Sequence, residues 1–393
     1  MENRPPNCAG AILGLFAGYA RSQYSLSNSL MIVLPRKNTA GIMFPKERFS
    51  VDQVMESEAK LGDSHLGTEI GIRRRSASVS DDYSVQKTND DATECKYIAS
   101  KLNYFKDAYI HRFISSGECN LRRDPEISRG YWARIVAVKA IVDAFLKTFS
   151  EKCQIINLGA GFDTLYWRLK GEGKQLHRYV EVDFSSVTAK KIRQLRRPGS
   201  PNLISMFSEE PKEVEHADLH AGDYHLVGAD LRQLNEFKEK LDSCCLNYKT
   251  PTLFIAECVL VYMGTGQSDT LLSACVRWFE NAFFLNYEQV NIGDTFGKIM
   301  VSNLHGRGII LPGLAACENL DAQKKRFMDS GWKNVVVKTM WEIYGKEIPD
   351  AQVKRIEKLE LLDEKILLSQ LLEHYCFVIA SSSAHMLDFG WKK

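Results

Sequence analysis

Gly159 and Gly161 sit in the stretch NLGAGFDTLYWRL, Asn157 to Leu169, directly after an apolar run with the character of a strand. Residues without side chains at the end of a strand permit a tight turn and let a ligand approach the backbone closely. The next apolar run, RYVEVDF, contains Asp183 about 20 residues further on, the usual spacing for an acid that bonds a ribose hydroxyl pair. The two features together point to an adenosine-containing ligand.

Gly-x-Gly alone leaves NAD and S-adenosylmethionine both open. A pyrophosphate asks for a third glycine so that the following helix can pack close, and that place is taken by Thr164. Two further acids follow apolar runs: Asp230 in VGADLRQL and Glu257 in FIAECVLVYM. A carboxylate buried without a partner is costly, so acids in such places tend to have a task. Asp230 also reads as a plain helix cap. As a set, three acids at three strand ends with no third glycine favour a ligand with one cationic centre over a pyrophosphate.

These residues need a scaffold, and the pattern supplies one. CQIINLGA, RYVEVDF, YHLVGADL, TLFIAECVLVY and AFFLNYEQV read as strands, and SSVTAKKIRQLRR, NEFKEKLDSCC and QSDTLLSACVRWFENA between them have helical length and period. Such alternation predicts an α/β fold with a doubly wound, mostly parallel sheet and helices on both faces. Ahead of it, KYIASKLNYFKDAYIHRFI and EISRGYWARIVAVKAIVDAFLKTF carry apolar residues at helical spacing. Beyond it, NVVVKTM and HYCFVIAS would extend the sheet at its far edge, separated by the long helical stretch DAQVKRIEKLELLDEKILLSQLL.

The 393 residues, 45% hydrophobic and 25% charged, have the composition of an ordinary soluble enzyme. A formal charge of +2 gives no electrostatic footprint for nucleic acid. Ten cysteines with no CxxC pair read as reduced thiols in a cytoplasmic protein. His216, His220 and His225 in HADLHAGDYH suggest a metal only if the segment is helical; its Asp and Gly favour a loop, so no metal is expected. No window offers the ~20 apolar residues of a membrane span. Ala9 to Ala20 has the length of a signal-peptide core, but MENRPPNC before it lacks a cationic run, so targeting segment and amphiphilic tail both stay open. The stretch RRRSASVSDDYSVQKTNDDATE reads as a solvated linker, with Ser76 and Ser78 after Arg73 to Arg75 as a kinase-site alternative.

The stretches EISRGYWAR, INLGAGFDTLYWRLK, VEVDF, GADLR, LFIAECVLVYM, NYEQVN, RIEKLELLDE and HYCFVIA resemble the leucine carboxyl methyltransferases, over about Asp91 to Ala380. The resemblance implies a Rossmann-like, class I methyltransferase fold, S-adenosylmethionine as cofactor, and esterification of the C-terminal leucine carboxylate of the protein phosphatase 2A catalytic subunit. Carried over by position, it implies that Gly159, with Gly161, lines the methionine part and Asp183 holds the ribose. Asp230 and Leu231 would flank the adenine, Glu257 would meet the amino group, and Lys96 and Arg134 the carboxylate end. Tyr262 and Arg134 are the candidates for orienting the substrate carboxylate.

The expected organisation is a poorly structured extension and linker over 1–90 and a methyltransferase domain over 91–393, acting as a monomer. Within the domain a helical lid would span about 95–150 and a substrate-binding insertion about 291–332. A related tRNA-modifying carboxyl methyltransferase would carry a repeat propeller, and no such repeats occur in this sequence. The rival readings are a catalytically silent phosphatase-binding module, a carboxyl methyltransferase for another substrate, and a nicotinamide oxidoreductase.

Overall fold

The computed structural model describes residues 70–114, 123–150 and 152–383, with side chains described from Asp82 onward. The Ala9 to Ala20 run and the side chains of Arg73 to Arg75, Ser76 and Ser78 lie outside the described residues. Helices α1 (Ile70–Lys101) and α2 (Pro125–Phe149) lead into strand β1 (Gln154–Leu158) and helix α3 (Leu165–Gly171). Then follow β2 (Arg178–Asp183), α4 (Ser185–Arg196), β3 (Lys212–Val214), β4 (Asp218–Ala221), β5 (Tyr224–Gly228) and α5 (Leu234–Ser243). The rest runs β6 (Thr252–Glu257), α6 (Thr265–Trp278), β7 (Ala282–Gln289), α7 (Thr295–His305), α8 (Leu320–Asp329) and β8 (Asn334–Thr339), then α9 (Asp350–Glu357), α10 (Lys365–Glu373) and β9 (Tyr375–Ser381).

The nine strands among the described residues form one sheet in the order β3-β4-β5-β2-β1-β6-β7-β9-β8. Its centre, β5-β2-β1-β6-β7, is parallel, and both edges are antiparallel. The expected doubly wound sheet and its two late strands are therefore present. The apolar runs have the period-2 logic of strands covered on both faces. Ile155 of β1 with Leu253 and Ile255 of β6 join one core, while Ile156 and Leu158 with Phe254 and Ala256 join the other. Because β1 has β2 on one side and β6 on the other, the winding reverses at β1, and the crevice for a ligand opens beyond the carboxyl ends of these strands.

Four local expectations need correction. The polar stretch 73–94, expected as a linker, belongs to α1, so the expected boundary at residue 90 falls inside a helix. It contains neither glycine nor proline, and long-range contacts described below hold it, a case of tertiary packing deciding what an apolar stripe does not. The helical pattern starting at Lys96 does not run through to Ile114: α1 ends at Lys101, where Asn103 takes a φ of +63°. HADLHAGDYH is not a loop but a β-hairpin, with Gly222 at φ +71° turning β4 back onto β5. The stretch from Asp350 to Leu372 is two helices, α9 and α10, rather than one.

Several charged groups lie inside the core. Lys191 and Glu181 are fully buried 2.5 Å apart, Tyr224 donates to the same carboxylate at 2.5 Å, and Lys191 also donates to the Asp163 carbonyl at 2.9 Å. Removing one partner of such a pair leaves an uncompensated buried charge, at a cost of roughly 3–5 kcal/mol. Glu288 of β7, fully buried, accepts the Val261 N–H at 3.0 Å, yet burial pushes its carboxyl up to about 7, more than Arg326 and the N–H donors hold it down.

A carboxyl whose folded pKa is raised binds its proton in the folded chain while the unfolded chain, near 4.5, has lost it. Stability therefore falls as pH rises between about 4.5 and 7, at up to about 1.4 kcal/mol per pH unit for this group. Glu288→Gln is expected to flatten the stability profile measured by urea unfolding in that window. An unchanged slope would mean that Glu288 is ionised in the folded protein.

Candidate active site

The turn after β1 is built from glycines because nothing else fits. Gly159 has φ +61° and Gly161 φ +51°, the left-handed region that costs other residues roughly 1–2 kcal/mol. A Cβ on Gly159 would lie 2.6 Å from Cγ2 of Val259, and one on Gly161 would lie 2.3 Å from Oδ1 of Asn89. Asn89 reaches in from α1 to accept the Phe162 N–H at 2.7 Å, so the helix closes directly on the glycine turn. Asp183, at the end of β2, accepts the N–H of Gly161 and of Phe184, both at 2.7 Å. Burial raises its pKa in spite of these donors.

Two ion pairs bring the lid helices to the strand ends. Lys96 of α1 contacts Asp163 at 3.3 Å. Burial opposes the charge on Asp163, but Lys96, Arg168 and Lys191 together hold its carboxyl well below the usual range. Arg134 of α2 donates through Nε to the carboxylate of Glu257 and through Nη2 to the Glu257 carbonyl at 3.4 Å. Its guanidinium also lies 4.6 Å from the ring centre of Tyr287, with Tyr131 at 5.9 Å. Burial works against the charge on Arg134, and the adjacent Glu257 carboxylate more than offsets it, keeping the pKa above its already high ordinary value.

At the other end of the crevice Asp230 takes Arg232 in a fork, with N–O distances of 2.8 to 3.0 Å, and Arg232 extends the fork to Asp82 of α1 at 2.8 and 2.9 Å. Phe184 lies under the same guanidinium at 5.6 Å. Cys258, directly after Glu257, has φ +56°, a strained backbone for a residue with a side chain, fixed by its N–H on the Tyr287 carbonyl at 2.7 Å. Burial pushes its thiol up to about 12, so it is no thiolate nucleophile. Burial likewise raises the Tyr262 phenol, which remains a neutral donor at physiological pH.

One cavity at the carboxyl end of the sheet is lined by all nine residues singled out in the sequence: Lys96, Arg134, Gly159, Gly161, Asp183, Asp230, Leu231, Glu257 and Tyr262. Sequence reading missed Asn89, Asp163, Arg232, Asp82, Arg307 and Tyr375, which line it too. Arg307, from within the 291–332 segment, pairs with Asp91 of α1 at 2.7 Å and so ties that segment to the lid. Only Arg232 left a trace in the sequence, as a basic residue two positions from an acid. The cavity thus offers cations and carboxylates at one end, an acid beside the glycine turn, and apolar walls with an acid–arginine fork at the other.

Gly159→Ala is expected to destabilise by about 1–2 kcal/mol of backbone strain plus the Val259 clash, a drop of several degrees in thermal unfolding. Adding Val259→Ala should recover the clash but not the strain. A single variant melting at the wild-type temperature would show that the turn has another geometry.

A family profile described as leucine carboxyl methyltransferase matches residues 84–276. Leucine carboxyl methyltransferase 1 of Caenorhabditis elegans is 51% identical over 331 residues, covering 83% of this chain and 99% of its own length. The Rattus norvegicus protein of that name is 42% identical over 311 residues, covering 78% of this chain and 92% of its own. The tRNA wybutosine-synthesizing protein 4 of Rattus norvegicus is 34% identical over 312 residues, which is 77% of this chain but 45% of that protein. With a relative half identical over nearly its entire length, and the glycine turn and strand-end acids gathered at one cavity, this chain is a methyltransferase that belongs to the leucine carboxyl methyltransferase family.

Proposed function

We propose that the enzyme methylates the α-carboxylate of the C-terminal leucine of the protein phosphatase 2A catalytic subunit, with S-adenosylmethionine as donor. The observation that carries this reading is a cavity in which a paired set of charges, a glycine turn and an acid–arginine fork lie in sequence along the strand ends. The residues fit this cofactor by the chemistry of the donor set, which matches a zwitterionic amino acid at one end and an adenosine at the other. Lys96 and Arg134 would take the carboxylate, Glu257 the ammonium, Asp183 the ribose hydroxyls, and Asp230 with Leu231 the adenine. Bound there, S-adenosylmethionine supplies an electrophilic methyl group on a sulfonium sulfur.

The chain's own work is positioning. A terminal carboxylate with a pKa of about 3.5 is already ionised at neutral pH, so no general base is needed. Alignment of the carboxylate oxygen with the methyl carbon and sulfur can be worth up to about 7–11 kcal/mol. Opposite charges diminish toward the transition state, so excluding water helps, and Tyr131, Tyr262, Tyr287 and Tyr375 wall the cavity. Arg134 is held by Glu257 and Tyr287, which leaves Tyr262 as a neutral donor able to orient the substrate carboxylate without an over-strong ion pair. The segment 291–332 would recognise the phosphatase, placing Ile309 and Arg307 at the cavity. A tail peptide alone offers little buried area, and folded phosphatase should be the better substrate.

The test is transfer of labelled methyl from S-adenosylmethionine to the phosphatase catalytic subunit with and without its terminal leucine. Alkali-volatile label that disappears with the leucine is the expected result; alkali-stable label, or label independent of the leucine, would overturn the reading. Tyr262→Phe should lower kcat by roughly tenfold to a hundredfold with cofactor affinity within about twofold. Unchanged kcat would remove Tyr262 from the mechanism.

A further inference from the structure

The sheet edge formed by β3, β4 and β5 carries a second cluster that methyl transfer does not use. The hairpin register sets His220 of β4 directly opposite His225 of β5. Cys244, which caps the C-terminus of α5, packs against both. The two Nδ1 atoms are 2.8 Å apart, and the rings meet edge to face at 64° rather than stacking. One donor atom from each of the three residues lies within 4.8 Å of the others. His225 and Cys244 are buried while His220 is half-buried. Nδ1 of His225 is the nitrogen that meets His220, and its Nε2 is buried with no hydrogen-bond partner among the described residues, so one ring nitrogen is left for a ligand. His216, the third histidine of the segment, is exposed and bonds Glu213 instead.

We propose that His220, His225 and Cys244 form a binding site for a zinc-class divalent cation, with a fourth position open to water beside the half-buried His220. Zinc takes imidazole nitrogen at about 2.0–2.1 Å and thiolate sulfur at about 2.3 Å, so donor atoms of a tetrahedral site lie roughly 3.3–3.6 Å apart. The three donor atoms lie within 4.8 Å of one another, so the side chains would draw in to close a cage of that size. The Cys244 thiol, which now donates to the Lys240 carbonyl at 3.2 Å, gives up its proton on binding, so one cation enters and one proton leaves to solvent. The neighbouring charges are already balanced: Lys240 is paired with Asp218 at 2.7 Å and Lys170 with Asp223 at 2.8 Å. His225 stands at the start of β5 and Asp230 beyond its end, so the ion would staple hairpin to helix at the sheet edge and take no part in the chemistry.

Cobalt(II), a spectroscopic stand-in for zinc, is titrated into the full chain after treatment with a chelator. The expected result is one equivalent bound, with the near-ultraviolet charge-transfer band of a cobalt–thiolate bond, and displacement of cobalt by zinc with a rise in Tm. Cys244→Ser should abolish the band, and His220→Asn should weaken binding at least tenfold while leaving methyl transfer intact. Should Cys244→Ser fail to fold, His220→Asn decides, since its side chain is half-buried at the edge. The proposal is overturned by no charge-transfer band in the wild type, by cobalt affinity unchanged in His220→Asn, or by a band that survives Cys244→Ser and disappears in Cys245→Ser.

Discussion

The structure depends on one electrostatic constraint: the charges of Arg134, Lys96, Glu257 and Asp163 line a poorly solvated cavity and are paired there. An isolated buried guanidinium or carboxylate would shift its pKa or destabilise the fold by several kcal/mol. Arg134 answers with Glu257 and the Tyr287 ring, and Lys96 with Asp163. Every one of these pairs joins a helix ahead of the sheet to a strand end or to the glycine turn. The same contacts that neutralise the cavity therefore hold α1 and α2 over it, and lid position becomes a consequence of charge pairing.

This explains how the polar part of α1 is held, while Ala92, Cys95 and Ala99 toward its C-terminal end pack into the core. The side chains of α1 reach outward to the binding crevice, through Asn89 to the Phe162 N–H, Asp82 to Arg232, and Asp91 to Arg307. A ligand that carries both a carboxylate and an ammonium can exchange partners with the internal pairs without leaving a bare charge. On the proposed reading a ligand with one charge sign at that end would leave a charge bare, and the cavity would favour an amino-acid moiety.

The centre of the fold was legible because buried parallel strands write themselves as apolar runs, and the residue types at their ends break the run. Gly159, Gly161, Asp183 and Glu257 each stood out for that reason, and each lines the cavity. Lys96 and Arg134 came only from the family resemblance, since a cation on a helix has no local mark of what it faces. The linker expected over 73–94 failed because its cohesion lies in long-range hydrogen bonds that composition does not carry. The hairpin was missed for a different reason: β5 was read as a strand, but β4, with four residues, is too short for a period to show, and the Gly222 turn resembles any loop. Missing it also hid the meeting of His220 with His225.

The most direct test of the charge-exchange account is calorimetric binding of S-adenosylhomocysteine to the Glu257→Gln variant, beside an analogue that lacks only the amino group. The account predicts about tenfold weaker binding of S-adenosylhomocysteine, equivalent to about 1.4 kcal/mol, with the deaminated analogue bound as by the wild type. If the variant binds S-adenosylhomocysteine equally or more tightly, Glu257 serves only to occupy Arg134, and the paired charges are not the ligand's receptors.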